Sequence, residues 1–219
     1  MKQTRRAWGL AAAALLFILI SFGFIDLPLA RFFRSQSQEI RDLFEWITKA
    51  GISTPYLVVS GALIVFYRWI GKNRRLADRA LLLFSGIALS GIVVNIIKFL
   101  VGRLRPKMFF EQGLYGFEPL RIGYEFGSMP SGHATTVFAV ATTCSIYWPK
   151  YRIHFLLFAT VVSLSRLVLN AHYLGDVFAG ACLGMTTVIL IKRYIPAGTD
   201  PPGADPPQSG TGQPTGGAA

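Results

Sequence analysis

Six apolar runs divide the chain, at 7–25, 55–70, 77–100, 132–148, 153–170 and 173–191. Several are close to the roughly 20 residues a helix needs to cross the hydrocarbon core of a bilayer. The stretch between the first and second runs, RFFRSQSQEIRDLFEWITKA at 31–50, has a different character. Ile40, Leu43, Phe44 and Ile47 recur there at helical spacing, while Arg41, Asp42, Glu45 and Lys49 fill the other positions. That pattern predicts a helix lying in the membrane interface. From Pro196 onward the chain is rich in Pro, Gly and Thr without apolar periodicity, which predicts a disordered appendage. The expected fold is therefore all-α: an integral membrane six-transmembrane-helix bundle in one domain, 1–195, with an interfacial helix and a disordered tail, 196–219. No internal repeat is present.

Composition strengthens the membrane reading. Of 219 residues, 52% are hydrophobic and 15% charged, with a mean hydropathy of +0.45. Ordinary soluble domains are about a quarter charged. The first run follows Lys2, Arg5 and Arg6 as a secretory signal would. Its apolar core exceeds the usual signal length of about 7–15 residues, and LPLA at 27–30 is a poor cleavage site, so a retained span is expected. Net charge is +11, yet Lys and Arg flank the apolar runs and form no basic stripe interleaved with stacking aromatics. Membrane anchoring explains that distribution, and nucleic acid is not an expected partner. Cys144 and Cys182 lie inside predicted spans and read as small apolar residues rather than a disulfide or zinc pair. Basic residues are nearly balanced between the two sides, so the short loops decide orientation. GKNRR at 71–75, PKYR at 149–152 and KR at 192–193 fall on the side of the N-terminus. Both termini are expected in the cytoplasm.

Alternating the spans brings three polar clusters to the outer surface. Residues 98–106 lie where the third span leaves, 130–133 where the fourth enters, and 166–176 across the turn between the fifth and sixth. Ionisable groups at membrane depth are costly and mark function. Lys98, Arg105 and Arg166 supply positive charge, and guanidinium groups match phosphate oxygens with paired hydrogen bonds. Ser131 and Gly132 open a helix whose free N–H groups favour an anion, and glycine allows close approach. These groups describe a phosphate pocket built without a metal. Asp176 follows His172 by one helical turn, so its carboxylate is expected to accept a hydrogen bond from one ring nitrogen, leaving the other to attack phosphorus. His133 is then free to protonate the departing oxygen. The product is a phosphohistidine that water hydrolyses. Taken singly, Lys98 reads as a snorkelling lysine, Ser131 as a helix start, and His172 with Asp176 as a structural pair. A metal site on His133, His172 and Asp176 is disfavoured by three nearby cations. His154, at a cytoplasmic helix end, has no expected role.

The three clusters, KFLVGRLRP at 98–106, PSGH at 130–133 and SRLVLNAHYLGD at 165–176, resemble in order and spacing the signatures of the type 2 phosphatidic acid phosphatase (PAP2) superfamily. No signature position departs from the pattern. The signatures cover 25 residues, and the six-span layout extends the likeness from 7 to 194. The resemblance implies a six-helix bundle with an active site at the outer membrane surface and no metal or other cofactor. By the same resemblance His172 is the nucleophile, Asp176 its orienting partner and His133 the general acid. Lys98, Arg105, Ser131, Gly132 and Arg166 form the phosphate pocket. The membrane setting favours a lipid phosphate as partner. Phosphatidic acid, phosphatidylglycerophosphate, undecaprenyl diphosphate and lipid A are the candidates. Short loops and an alanine-rich first span look bacterial, so the inner membrane and an envelope lipid are expected. Aromatics at 107–127 read equally as a lip over the site or as an interfacial anchor. Arg103, Lys107 and Arg121 are expected to meet a polyanionic headgroup or neighbouring anionic lipids. A lipid phosphotransferase using the same phosphohistidine is the alternative activity, and a non-catalytic lipid-binding or transport protein a more distant one.

Overall fold

The structure, a computed structural model, describes residues 2–195. The tail expected to be disordered lies outside the described residues. The fold is all-α, and among the described residues the only strand-like pairing is an isolated antiparallel bridge between Arg103 and Phe117.

The first apolar run becomes α1 (Lys2–Ile20), a wide turn at Ser21–Ile25 and α2 (Asp26–Arg34) in one helical path. In the wide turn the N–H of Asp26 reaches back five residues to the carbonyl of Ser21, the signature of an inserted residue in an α-helix. Helix α3 (Gln38–Thr48) covers the amphipathic segment and has no buried residue. Its Ile47 leans on the core while Leu43 and Trp46 stay exposed. Helix α4 (Ser53–Val65) ends in a second wide turn, and α5 (Arg74–Val101) starts at Asn73, whose side chain accepts the N–H of Leu76 at 3.1 Å. That cap satisfies a free helix-end donor. After a short α6 (Pro106–Gln112) come α7 (Gly132–Tyr147), α8 (Arg152–Val168) and α9 (Leu174–Ile191).

Among the described residues five helical stretches are long and apolar enough to cross a membrane: Trp8–Arg34, Gln38–Ile70, Arg74–Val101, Pro149–Val168 and Leu174–Ile191. Helix α7 has 16 residues, about 24 Å at 1.5 Å per residue, short of the roughly 30 Å hydrocarbon core. It is the central helix. Ala134, Val137, Ala139 and Ala141 on it are buried against α5, α8 and α9. Packing is closest between α7 and α9. A β-carbon at Gly180 or Gly184 would collide with the backbone of Ser131 or Thr135, so small residues let the two backbones approach, as in membrane bundles. Large apolar side chains such as Leu15, Leu19, Val58, Ile92, Ile96 and Ile189 face outward.

The helices alternate in direction. The ends of α2, α5 and α8 therefore meet the starts of α4, α7 and α9 at one end of the bundle. There the N–H of Ser131 donates to the carbonyl of Asp176 at 2.9 Å, Gly51 abuts the His133 ring and Arg41 of α3 reaches the carbonyl of Val168 at 3.4 Å.

Candidate active site

Helix α5 stops at Gly102, whose left-handed φ of +59° is open to glycine at little cost. A β-carbon there would strike the Glu118 carbonyl. The reversal sends residues 103–105 under the loop that follows α6, where Leu104 N–H donates to Gly116 and Arg105 N–H to Glu125, at 3.0 and 2.9 Å. The Arg105 guanidinium is then fixed by carbonyls. Nε donates to Tyr124 at 2.7 Å, Nη1 to Ala171 at 2.9 Å and Nη2 to Gly127 at 3.2 Å. The Tyr124 ring lies 3.8 Å from it. Arg105 Nη1 is 3.4 Å from Nε2 of His172.

His172 is buried in the turn between α8 and α9, with Nδ1 2.7 Å from the carbonyl of Ser128. A carbonyl only accepts, so Nδ1 carries the proton and Nε2 keeps its lone pair. Burial pushes the imidazole pKa down to about 3, opposed by the Asp176 carboxylate and reinforced by Arg105. His172 is therefore a neutral imidazole with a nucleophilic nitrogen turned toward an arginine.

The expected hydrogen bond from His172 to Asp176 is not formed: Nδ1 and Oδ2 stand 3.8 Å apart. Asp176 is the third residue of α9, and its carboxylate folds back to cap that helix, accepting the N–H of Tyr173 at 2.9 Å. The same oxygen accepts Ser128 Oγ–H at 2.6 Å, and the other takes Arg103 Nη1 at 2.7 Å. The carboxylate is fully engaged, and the imidazole finds the Ser128 carbonyl instead.

Arg103 overturns a second expectation. It was expected among headgroups, but it is wholly buried, bridging Asp176 and Asp26 of α2. Pairing with two carboxylates offsets the desolvation of a buried guanidinium. Tyr115, Tyr173, Phe22 and Phe117 surround it, so Tyr115, one of the aromatics expected at the lip, packs inward, while Phe117 stays 44% exposed. Lys107 and Arg121 remain exposed, beside Glu111 at 3.9 Å and Glu118 at 3.4 Å.

The other expected residues gather beside His172. Ser131 and Gly132 begin α7, with space where a Gly132 side chain would stand. Half-buried His133 has Arg166, Lys98 and Arg105 as its strongest charged neighbours. Arg166 donates to Thr48 Oγ at 2.7 Å. Two buried polar atoms here, Ser131 Oγ and Arg166 Nε, have no protein partner. Lys98 and Arg105 line an outward cavity of about 290 Å³ with Asn95, Arg121 and Tyr124. A second, of about 270 Å³, lies across Arg105 and Tyr124 and is lined by Arg34, Lys107 and Asn170. All eight expected residues thus lie at one end of the bundle, in surroundings rich in cations. Among the described residues no group of three His, Cys, Asp or Glu converges as a metal site would. Residue reading missed Asp26, Ser128 and Thr48, and misplaced Arg103. Asp26 carried a signal, as a carboxylate at the end of an apolar run.

The PAP2 superfamily pattern matches residues 79–200, from α5 through α9, and includes all eight. The chain belongs to the PAP2 superfamily. Within that superfamily it is similar to a lipid A 1-phosphatase of Rhizobium etli, 34% identical over 149 residues that make up 66% of this chain and 60% of the relative. The match thus spans three fifths of the relative's length. Two solved PAP2-type folds superpose on it. The crystal structure of Aquifex aeolicus LpxE does so with TM-score 0.57 at 22% identity, covering 78% of this chain and 96% of that one. A Bacillus subtilis transmembrane PAP2-type phosphatidylglycerolphosphate phosphatase gives 0.59 at 24%, covering 84% and 94%. At these identities the likeness is one of fold. With its membrane-length helices and its family match, this PAP2 chain is a multi-pass membrane protein.

Proposed function

We propose that this PAP2-superfamily chain is a lipid phosphatase that hydrolyses a phosphomonoester or diphosphate of a bacterial envelope lipid through a phosphohistidine. The observation that carries the proposal is the neutral, tautomer-fixed His172, whose Nε2 faces Arg105 at 3.4 Å in surroundings rich in cations. Lys98, Arg105 and Arg166, with the first turn of α7 at Ser131 and Gly132, hold the phosphate oxygens. Nε2 of His172 attacks phosphorus, and the bond to the lipid oxygen breaks. His133 gives that oxygen its proton. Water then attacks the phosphohistidine, returns a proton to His133 and releases inorganic phosphate with His172 restored. Asp176 acts on His172 by fixing Ser128. The cationic setting suits an anion rather than a divalent metal, so no metal enters the scheme.

The relative named lipid A 1-phosphatase makes lipid A the first substrate to test. Undecaprenyl diphosphate, phosphatidylglycerophosphate and phosphatidic acid follow. Residues 1–195 act as one unit with six crossings, α7 being the shortest, and 196–219 as an appended tail. The short basic loops favour termini in the cytoplasm and a site on the outer face of the inner membrane.

The test is phosphate release by detergent-purified protein from these four lipids with EDTA present. Release from at least one is expected, and His172→Ala should lower it at least a thousandfold while the protein stays folded. Release that EDTA abolishes, or that survives in His172→Ala, defeats the mechanism. Phosphate moved only to an added acceptor lipid identifies a transferase.

A further inference from the structure

We infer that Asp26, on the first membrane helix, and Arg103 are positioning residues for this reaction, acting on His172 through Asp176 and Ser128. The inference rests on the phosphatase reading above. Arg103 grips two carboxylates, Nη2 donating to Asp26 Oδ2 at 2.5 Å and Nη1 to Asp176 Oδ1 at 2.7 Å. Asp176 Oδ2 accepts Ser128 Oγ–H at 2.6 Å, and the Ser128 carbonyl accepts the His172 Nδ1 proton at 2.7 Å. Arg103 also holds Ser128 directly, because its carbonyl accepts the Ser128 N–H at 3.0 Å. The carbonyl that sets the His172 tautomer therefore belongs to a residue that Arg103 fixes from two sides. All five residues are at most 3% exposed, so water does not substitute for any link.

Asp26 closes the far end. Its Oδ1 accepts Ser21 Oγ–H at 2.6 Å and the N–H of Gly175, next to Asp176, at 3.1 Å. The wide turn at Ser21–Ile25 sets the helical phase at which this carboxylate enters the bundle, and inserted turns of this kind recur at functional sites. Without the Asp26 charge, Arg103 has one carboxylate for two nitrogens. A fork-shaped donor then pairs with both oxygens of Asp176, drawing Oδ2 from Ser128 and loosening the carbonyl that orients His172. The phosphate-facing cations Lys98, Arg105 and Arg166 make no contact with Asp26 and keep their places.

The experiment measures kcat and KM for phosphate release by the purified full-length chain, using a lipid the wild type cleaves. It compares Asp26→Asn, Ser128→Ala and the double variant. We expect Asp26→Asn to lower kcat at least tenfold with KM within twofold. Ser128→Ala keeps the carbonyl but cuts the link to Asp176, so adding Asp26→Asn to it should cost less than threefold more, the non-additivity of residues in one network. Independent, multiplying losses, or an unchanged kcat in Asp26→Asn while the wild type is active, overturn the inference alone. A wild type that releases no phosphate from any lipid overturns it together with the phosphatase reading. If Asp26→Asn does not fold, Arg103→Lys, whose single ammonium cannot serve as a fork, is read by the same criteria.

Discussion

His172 keeps its proton on Nδ1 because Ser128 offers it only an acceptor, and burial keeps the ring uncharged. In histidine-labelled protein in detergent, nitrogen NMR should find one of the three imidazoles in the Nδ1–H form and uncharged from pH 7 down to about 4. A ring that protonates near the ordinary value of about 6.5 would show this environment to be wrong. The sign for stability follows. An unfolded chain binds this proton near pH 6.5 and the folded one only near 3, so acidification between those values favours unfolding. The thermal midpoint should fall less over that interval in His172→Gln than in the wild type. Three short motifs made the cluster residues legible in the sequence. Their actual hydrogen bonds were not. A spacing of four places His172 and Asp176 side by side, but cannot say that Asp176 is already engaged by its own helix, by Ser128 and by Arg103. Nor does a spacing tell a buried arginine from one in solvent, which is why Arg103 was misjudged.

Among the elements, α7 and α9 are pressed together by Gly180 and Gly184, and that contact sets the helix entrance at Ser131. Gly180→Ala puts a methyl group into the Ser131 carbonyl. The helices must separate, at a cost of about 1–3 kcal/mol for an overpacked contact, and the first turn of α7 moves with them. A lower thermal midpoint and at least a tenfold loss in kcat/KM are expected, with loss of affinity for inorganic phosphate as the direct check. Gly61→Ala is the control, since its β-carbon would meet only the Phe84 ring at an ordinary 3.6 Å. Hydropathy located the helices well: the run at 77–100 lies within α5 and that at 173–191 matches α9 to one residue. It did not reveal the wide turn before α2, since one inserted residue hardly disturbs an apolar pattern. The apolar run ends at residue 25, and the helix continues past it through Asp26.

Among the described residues many large apolar side chains face outward, while small and polar ones crowd the interior beside Leu82, Ile87 and Val188, as expected of a bundle whose solvent is lipid. The proposed orientation has a direct reading. On a background of Cys144→Ala and Cys182→Ala, a membrane-impermeant maleimide applied to intact spheroplasts should label Arg121→Cys. It should label Lys150→Cys only after permeabilisation. The reverse pattern would put the site in the cytoplasm. The sequence could not assign α7 the central position, because its periodicity is that of a helix buried all round and its length falls below that of its neighbours.

The carboxylate of Asp26 also bears on the order of synthesis. Its acceptor bond from Gly175 spans 149 residues, and Arg103 is made long after the first helix has left the ribosome. Until then the carboxylate lacks the arginine it pairs with in the finished fold. On the proposed reading, a nascent chain stopped before α9 lacks Asp176, so the phosphatase would not act on its own membrane while half-built.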